Sequence, residues 1–151
     1  MLEKNKKSLI FALVENFQVI MDTFEGDLDI VSDCFWGLCA LLDNSEDNII
    51  SVVISNGLPI SFIKYLNSSK DSIAIAALRS LGNVGFSKNN PALEQIADHG
   101  MLDKLQDAMF DNLKVAKKEI YWAIANYVAD SHKIAAMLAR TDIVDQALQD
   151  I

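Results

Sequence analysis

The chain has 151 residues, of which 51% are hydrophobic and 23% charged, enough apolar content to bury a core and to exclude a disordered chain. Its net charge of −8 argues against a general nucleic-acid binder, which would present a basic surface, and favours a basic partner. No apolar run reaches the roughly 18 residues of a transmembrane helix, and only two prolines and six glycines interrupt what should be long helices.

In chain order, "SLIFALVENFQVIMDTF" at 8–24 predicts an amphipathic lead-in helix, read as the second helix of a repeat whose start is absent. No secretory leader is expected in "MLEKNKKSLIFALVENF", because charges flank its short apolar run and no small-residue cleavage pattern follows. A period then sets in. "DIVSDCFWGLCALLD" at 29–43, "SIAIAALRSLGNVGF" at 72–86 and "VAKKEIYWAIANYVA" at 115–129 each begin 43 residues after the last. Each reads as an amphipathic helix. The expected core stripes are Ile30, Phe35, Leu38 and Leu41; Ile73, Leu78, Leu81 and Val84; and Ala116, Tyr121, Ile124 and Tyr127.

The intervening segments, "NIISVVISNGLPISFIKYLN", "PALEQIADHGMLDKLQDAMF" and, more loosely, "KIAAMLARTDIVDQALQDI", each read as helix, sharp break, helix. Gly57 and Gly100 supply the break, since glycine tolerates positive φ past a helix end, and Pro59 suits an early helical position. In the last copy Asp142 takes the glycine's place. Loops carrying "NSSKD", "SKNNP" and "DSHK" join the units. A unit of three helices over about 43 residues falls in the range of HEAT and armadillo repeats. The expected fold is therefore all-α: one domain over 1–151, a right-handed armadillo superhelix of about three repeats. Its long third helices are expected near 28–43, 71–86 and 114–130.

Opposite the apolar stripe, the third helices carry a second register. Its members are Asp33, Trp36 and Ala40 in the first copy, Ala76, Arg79 and Asn83 in the second, and Glu119, Trp122 and Asn126 in the third. Spacing of i, i+3, i+7, continued to i+10 at position 43 in the first copy, keeps each set on one helix face, so stacked helices align them into ladders on the inner surface. A tryptophan in a helix more often supplies core bulk. These two lie away from the core stripe and recur in register, which favours a surface role. An indole offers a face for a lysine or arginine stem, worth about 0.5–2 kcal/mol. An asparagine amide can hold a peptide backbone, and a nearby carboxylate can pair an ammonium.

"DCFWGLCALLD", "AALRSLGNVGF" and "KKEIYWAIANYVAD" resemble the third helices of importin alpha armadillo repeats, and "NGLPISFIKYL" resembles its second helices. The order is similar to the fifth, sixth and seventh repeats of that family: a Trp repeat without the asparagine, an Arg–Asn repeat, a Trp–Asn repeat. The resemblance implies binding of lysine-rich nuclear localisation signals for protein import, and residence in cytoplasm and nucleus. By position it makes Trp122 and Asn126 a stacking and backbone-binding pair. It makes Asn83 a backbone binder, Glu119 an ammonium partner, and Arg79 the interruption in the tryptophan array. Trp36 and Asp33 complete the implied peptide-binding set. The chain departs from the family at Ala40, where a tyrosine or asparagine is common, and at "VGFSKNN" after Asn83, where a Thr–Gly pair is usual. "EKNKK" is too short for the family's basic autoinhibitory segment. The chain reads as a piece of an importin alpha or a short divergent relative.

The remaining features point to structure. Cys34 and Cys39 sit on different helix faces and align with small or apolar residues, so they are expected as free packing cysteines in a reducing compartment. His99 ends a helix and His132 is expected in a loop. Neither has a partner at metal-ligand spacing, so no metal is expected. "NSEDN" at 44–48 reads as a solvated helix cap. Gly82 inside a helix implies close packing. No catalytic set or phosphate loop is present, so no cofactor and no enzyme activity are expected. The expected partners are a basic peptide or cargo, other transport factors or neighbouring subunits, with neither nucleic acid nor membrane. The competing function is an armadillo scaffold within a larger assembly, its groove filled by a neighbouring chain or unused.

Overall fold

The computed structural model describes residues 2–43, 45–110 and 117–150, with side chains from Ser8 onward. Ala116 of the third stripe, residues 114–116 of the third long helix and Asn44 of the acidic run lie outside the described residues. Those described form ten helices and no strand. They are α1 (Leu2–Thr23), α2 (Leu28–Leu42), α3 (Asp47–Ser55), α4 (Leu58–Tyr65), α5 (Asp71–Val84), α6 (Asn90–Asp98), α7 (Met101–Phe110), α8 (Lys117–Val128), α9 (His132–Leu138) and α10 (Ile143–Gln149).

Local chemistry sets the ends of these helices. The Asp27 carboxylate accepts from the amides of Asp29 and Ile30 and opens α2. Asn89 and Ser131 cap α6 and α9 in the same way. Gly57 at φ 74° and Gly100 at φ 80° turn the chain between α3 and α4 and between α6 and α7. An L side chain there would cost about 1–2 kcal/mol. Asp142 avoids that region, at φ −80°. The last turn is instead closed by Thr141 Oγ1 donating to the Leu138 carbonyl and by the Asp142 amide donating to Gln106 Oε1.

The long helices α2, α5 and α8 stack in sequence, with α4 against α5 and α1 against α2 and α3. Their buried faces form one continuous core, in which Phe35, Leu38, Ile73, Leu81, Ile120 and Tyr127 are almost wholly removed from water. The stripe of α2 is rotated slightly from the expected one. Val31 and Leu42 are buried, whereas Ile30 and Leu41 are only half-buried. Tyr121 is also half-buried, and its hydroxyl donates to Asp150 at 2.7 Å.

Polar clasps repeat between the units. Ser32 and Ser72 hydroxyls meet at 3.0 Å. Asp47 accepts from the Ser87 hydroxyl and the Lys88 amide, and Asn90, its counterpart in the next unit, donates to the Asp130 carbonyl. The acidic run therefore does more than cap a helix in solvent: its Asp47 anchors the next loop. His132 opens α9 rather than lying in a loop. Cys34 and Cys39 are buried and free, and burial pushes both thiols above their ordinary pKa.

Candidate binding groove

The stack of α2, α5 and α8 presents one face away from the core, and two adjoining cavities lie along it. The first, about 380 Å³, is lined by Trp36, Cys39, Ala40, Asp43, Arg79, Asn83, Glu119 and Trp122. The second, about 450 Å³, is lined by Leu42, Asp43, Ser45, Ile50, Asn83, Phe86 and Trp122. Asp43, Asn83 and Trp122 border both. The two indoles face this groove, Trp36 at 37% exposure and Trp122 half-buried.

Trp122 is held by its neighbours. It packs so closely on α5 that a Cβ at Gly82 would fall 2.2 Å from its Cζ3 atom. The Phe86 ring also neighbours it, with centroids 6.0 Å apart and a tilt of 59°. The missing side chain at Gly82 is thus the seat of the indole, which gives physical content to a glycine that otherwise costs a helix about 1 kcal/mol.

Arg79 lines the first cavity. Its guanidinium lies 6.0 Å from the Trp36 ring centroid and donates to Glu119 Oε1 at 2.9 Å. That bond holds the guanidinium pKa further above its ordinary value. Glu119 is therefore paired within the chain, and the aromatic–carboxylate site holds a cation that the protein itself supplies. Both partners are partly exposed, so the pair contributes little to stability, about 0–1 kcal/mol.

The two asparagines differ. Asn126 donates its amide to the Gly82 carbonyl at 3.0 Å. That carbonyl is free because the Phe86 amide donates to Asn83 instead, so Asn126 caps the end of α5. Asn83 is 7% exposed, borders both cavities, and makes no side-chain hydrogen bond among the described residues. Its amide is not among the polar atoms closed off from water, so a ligand in either cavity can reach it.

Of the residues singled out from sequence, Trp36, Arg79, Asn83, Glu119 and Trp122 come together around the first cavity. Asn126 adjoins it through Gly82 but does not line it. Asp33 is exposed on α2 outside both cavities. Ala76, placed on the same face by its register, is fully buried. Asp43, Cys39 and Phe86 were not singled out as site residues. Asp43 continues the register of 33, 36 and 40 at i+10, so spacing places it on this face, where it lines both cavities. Phe86 stands just beyond α5, where helix periodicity gives no direction.

No protein-family model matches the chain. It is 33% identical over 104 residues, 68% of its length, to importin subunit alpha-1a of Oryza sativa subsp. japonica. It is 33% identical over 97 residues to importin subunit alpha-3 of Arabidopsis thaliana. It spans 19% and 18% of the lengths of these two curated relatives. Among solved structures, a designed armadillo repeat protein in complex with the peptide (KR)4 superposes with a TM-score of 0.75 at 17% identity, covering 93% of this chain and 56% of that one. An engineered protein superposes at 0.74 and 18% identity, covering 83% and 49%. The fold is thus that of armadillo repeats, and the chain is an armadillo-repeat array homologous to importin alpha subunits.

Proposed function

We propose that the groove binds an extended lysine- and arginine-rich peptide of the nuclear-localisation-signal type, that the chain serves nuclear protein import in cytoplasm and nucleus, and that it does no chemistry of its own. The observation that carries this reading is Asn83: an amide that makes no side-chain hydrogen bond among the described residues and lines both cavities, beside Trp122, Trp36 and Asp43. It can donate to a peptide carbonyl and accept from a peptide amide, gripping a backbone without reading side chains. The chain's own Arg79 on Trp36 and Glu119 supports a cation as the side chain these walls accept. The acidic balance of the whole chain would speed capture of such a ligand. The relatives carry the name importin alpha, and the designed armadillo neighbour holds a (KR)4 peptide.

Calorimetric titration with (KR)4 at two salt concentrations tests this. Binding should weaken with salt, and Trp122→Ala and Asn83→Ala should each weaken it about tenfold while the chain stays folded. A folded chain that ignores the peptide at low salt would refute the proposal.

A second reading has one observation in its favour. Leu9 and Val19 on α1 and Leu148 on α10 are 71%, 62% and 68% exposed. Apolar side chains so placed suit an array that packs against protein at its first and last helices, as a scaffold subunit would. A monodisperse monomer that binds (KR)4 would leave the receptor reading standing and remove the need for the scaffold.

A further inference from the structure

We propose that α1 is a homodimer surface, on which a second copy of this chain lays its own α1 antiparallel. No described residue of α1 lines either cavity of the groove, so this contact is independent of the peptide-binding reading. Gly57 and Gly100 turn the later units, but Val14 stands 43 residues before Gly57, and α1 runs through that point as one helix of 22 residues. Such a helix is about 33 Å long. One side of it, with Val14 and Met21 almost wholly buried, packs into the core. A second side carries Leu9, Leu13, Asn16, Val19, Ile20 and Thr23, which fall within about a third of the helix circumference. Leu9, Leu13 and Val19 are 71%, 44% and 62% exposed, and Ile20 is half-buried. The two polar members do not break this stripe. Asn16 donates to the Ala12 carbonyl and Thr23 to the Val19 carbonyl, both within α1.

The charge along α1 selects a second copy as the occupant. Lys4, Lys6 and Lys7, with Glu3, stand in its first two turns, whereas Glu15 and Asp22 stand in its second half and Glu25 just past its end. A helix that is basic at one end and acidic at the other matches its own copy reversed. A parallel pair would set lysines beside lysines and carboxylates beside carboxylates. Reversal about Asn16 also carries the stripe onto itself, bringing Leu9 to Thr23 and Leu13 to Val19 of the other copy. Such a contact is two-fold and closed, so it stops at a dimer. One helix against one helix buries less than about 1,200 Å², so the dimer is a weak one.

Sedimentation velocity of the whole chain over a range of concentrations tests this. The chain should pass from monomer to dimer and no further. Leu9→Gln with Val19→Gln should raise the dissociation constant about tenfold or more, and both sites are exposed enough to spare the fold. Leu148→Gln, at the exposed apolar residue of α10, should leave it unchanged. Lys6→Glu with Lys7→Glu should weaken the dimer about three- to tenfold, and Asp22→Lys added to them should restore much of the loss. Cysteine placement reads the direction, since the native cysteines are buried. Asn16→Cys should cross-link two copies under mild oxidation. Leu9→Cys should not, because antiparallel helices hold the two copies of that position about 21 Å apart. A chain that stays monomeric at the highest concentration, assembly that Leu148→Gln dissolves, or cross-linking through Leu9→Cys would each overturn the proposal. None of these results bears on whether the groove binds (KR)4, which the calorimetric titration decides.

Discussion

Trp122 and Gly82 form one unit: the indole of α8 fills the place where a side chain on α5 would stand, with only 2.2 Å between Cζ3 and an added Cβ. In an exposed helix Gly→Ala stabilises by about 1 kcal/mol, but here the sign should invert. The indole is also packed beside the Phe86 ring, 6.0 Å between centroids. Gly82→Ala should lower stability by about 1–3 kcal/mol and alter tryptophan fluorescence. In a Trp122→Ala background the same glycine change should cost little. Denaturant midpoints of the single and double variants check this, and an additive double variant would show that the two residues do not share one space.

Removing the internal cation should help the ligand. Arg79→Ala releases the Glu119 carboxylate and the face of Trp36. Affinity for (KR)4 should rise several-fold, about 1 kcal/mol, with little change in stability because the pair is partly exposed. Titration of the variant beside the parent decides it. Weaker binding would mean that Arg79 contacts the peptide directly rather than standing in for it.

Tyr127 should tolerate the loss of its hydroxyl. Its side chain is 1% exposed, and the oxygen has no hydrogen-bond partner among the described residues. Burial drives its pKa far upward. Tyr127→Phe removes an unsatisfied polar atom and keeps the ring, so stability should be unchanged or rise by about 1 kcal/mol. A large loss in thermal unfolding would reveal a partner for that hydroxyl.

Alkaline pH should weaken the fold through Tyr121. Burial, then the hydrogen bond to Asp150, pushes its pKa from 10.0 up to about 12. The folded chain keeps this proton where the unfolded chain loses it. Its contribution is thus complete below pH 10 and declines as pH rises from 10 to 12. Urea midpoints at pH 8, 10 and 11 should fall more steeply for the parent than for Tyr121→Phe. Parallel curves would contradict the assignment.

Architecture was legible in the sequence because repetition writes it several times over. Gly57 and Gly100 mark their turns at a fixed interval, and both adopt positive φ. The face that carries Trp36, Arg79, Asn83, Glu119 and Trp122 also followed from helix spacing, since neighbouring long helices stack in register. What spacing could not convey is who pairs with whom across that stack. Glu119 meets Arg79 because the side chains lie on adjacent helices at reach, and Asn126 turns to Gly82 because one carbonyl there was left open. Ala76 shows the limit of register: the same face position is exposed at Asp33 and buried in the middle helix, where neighbours cover both sides. Phe86 was missed for a simpler reason. It follows the last turn of α5, where no periodicity fixes a direction.

The chain has two tryptophans, and both border the groove, so they report on it without a label. The most direct measurement is the pair of indole N–H resonances in a nitrogen–proton correlation spectrum during titration with (KR)4, assigned with Trp36→Phe. The account predicts that both indole signals shift saturably, together with the side-chain amide of Asn83. Peptide that binds while all three signals stay in place would contradict it.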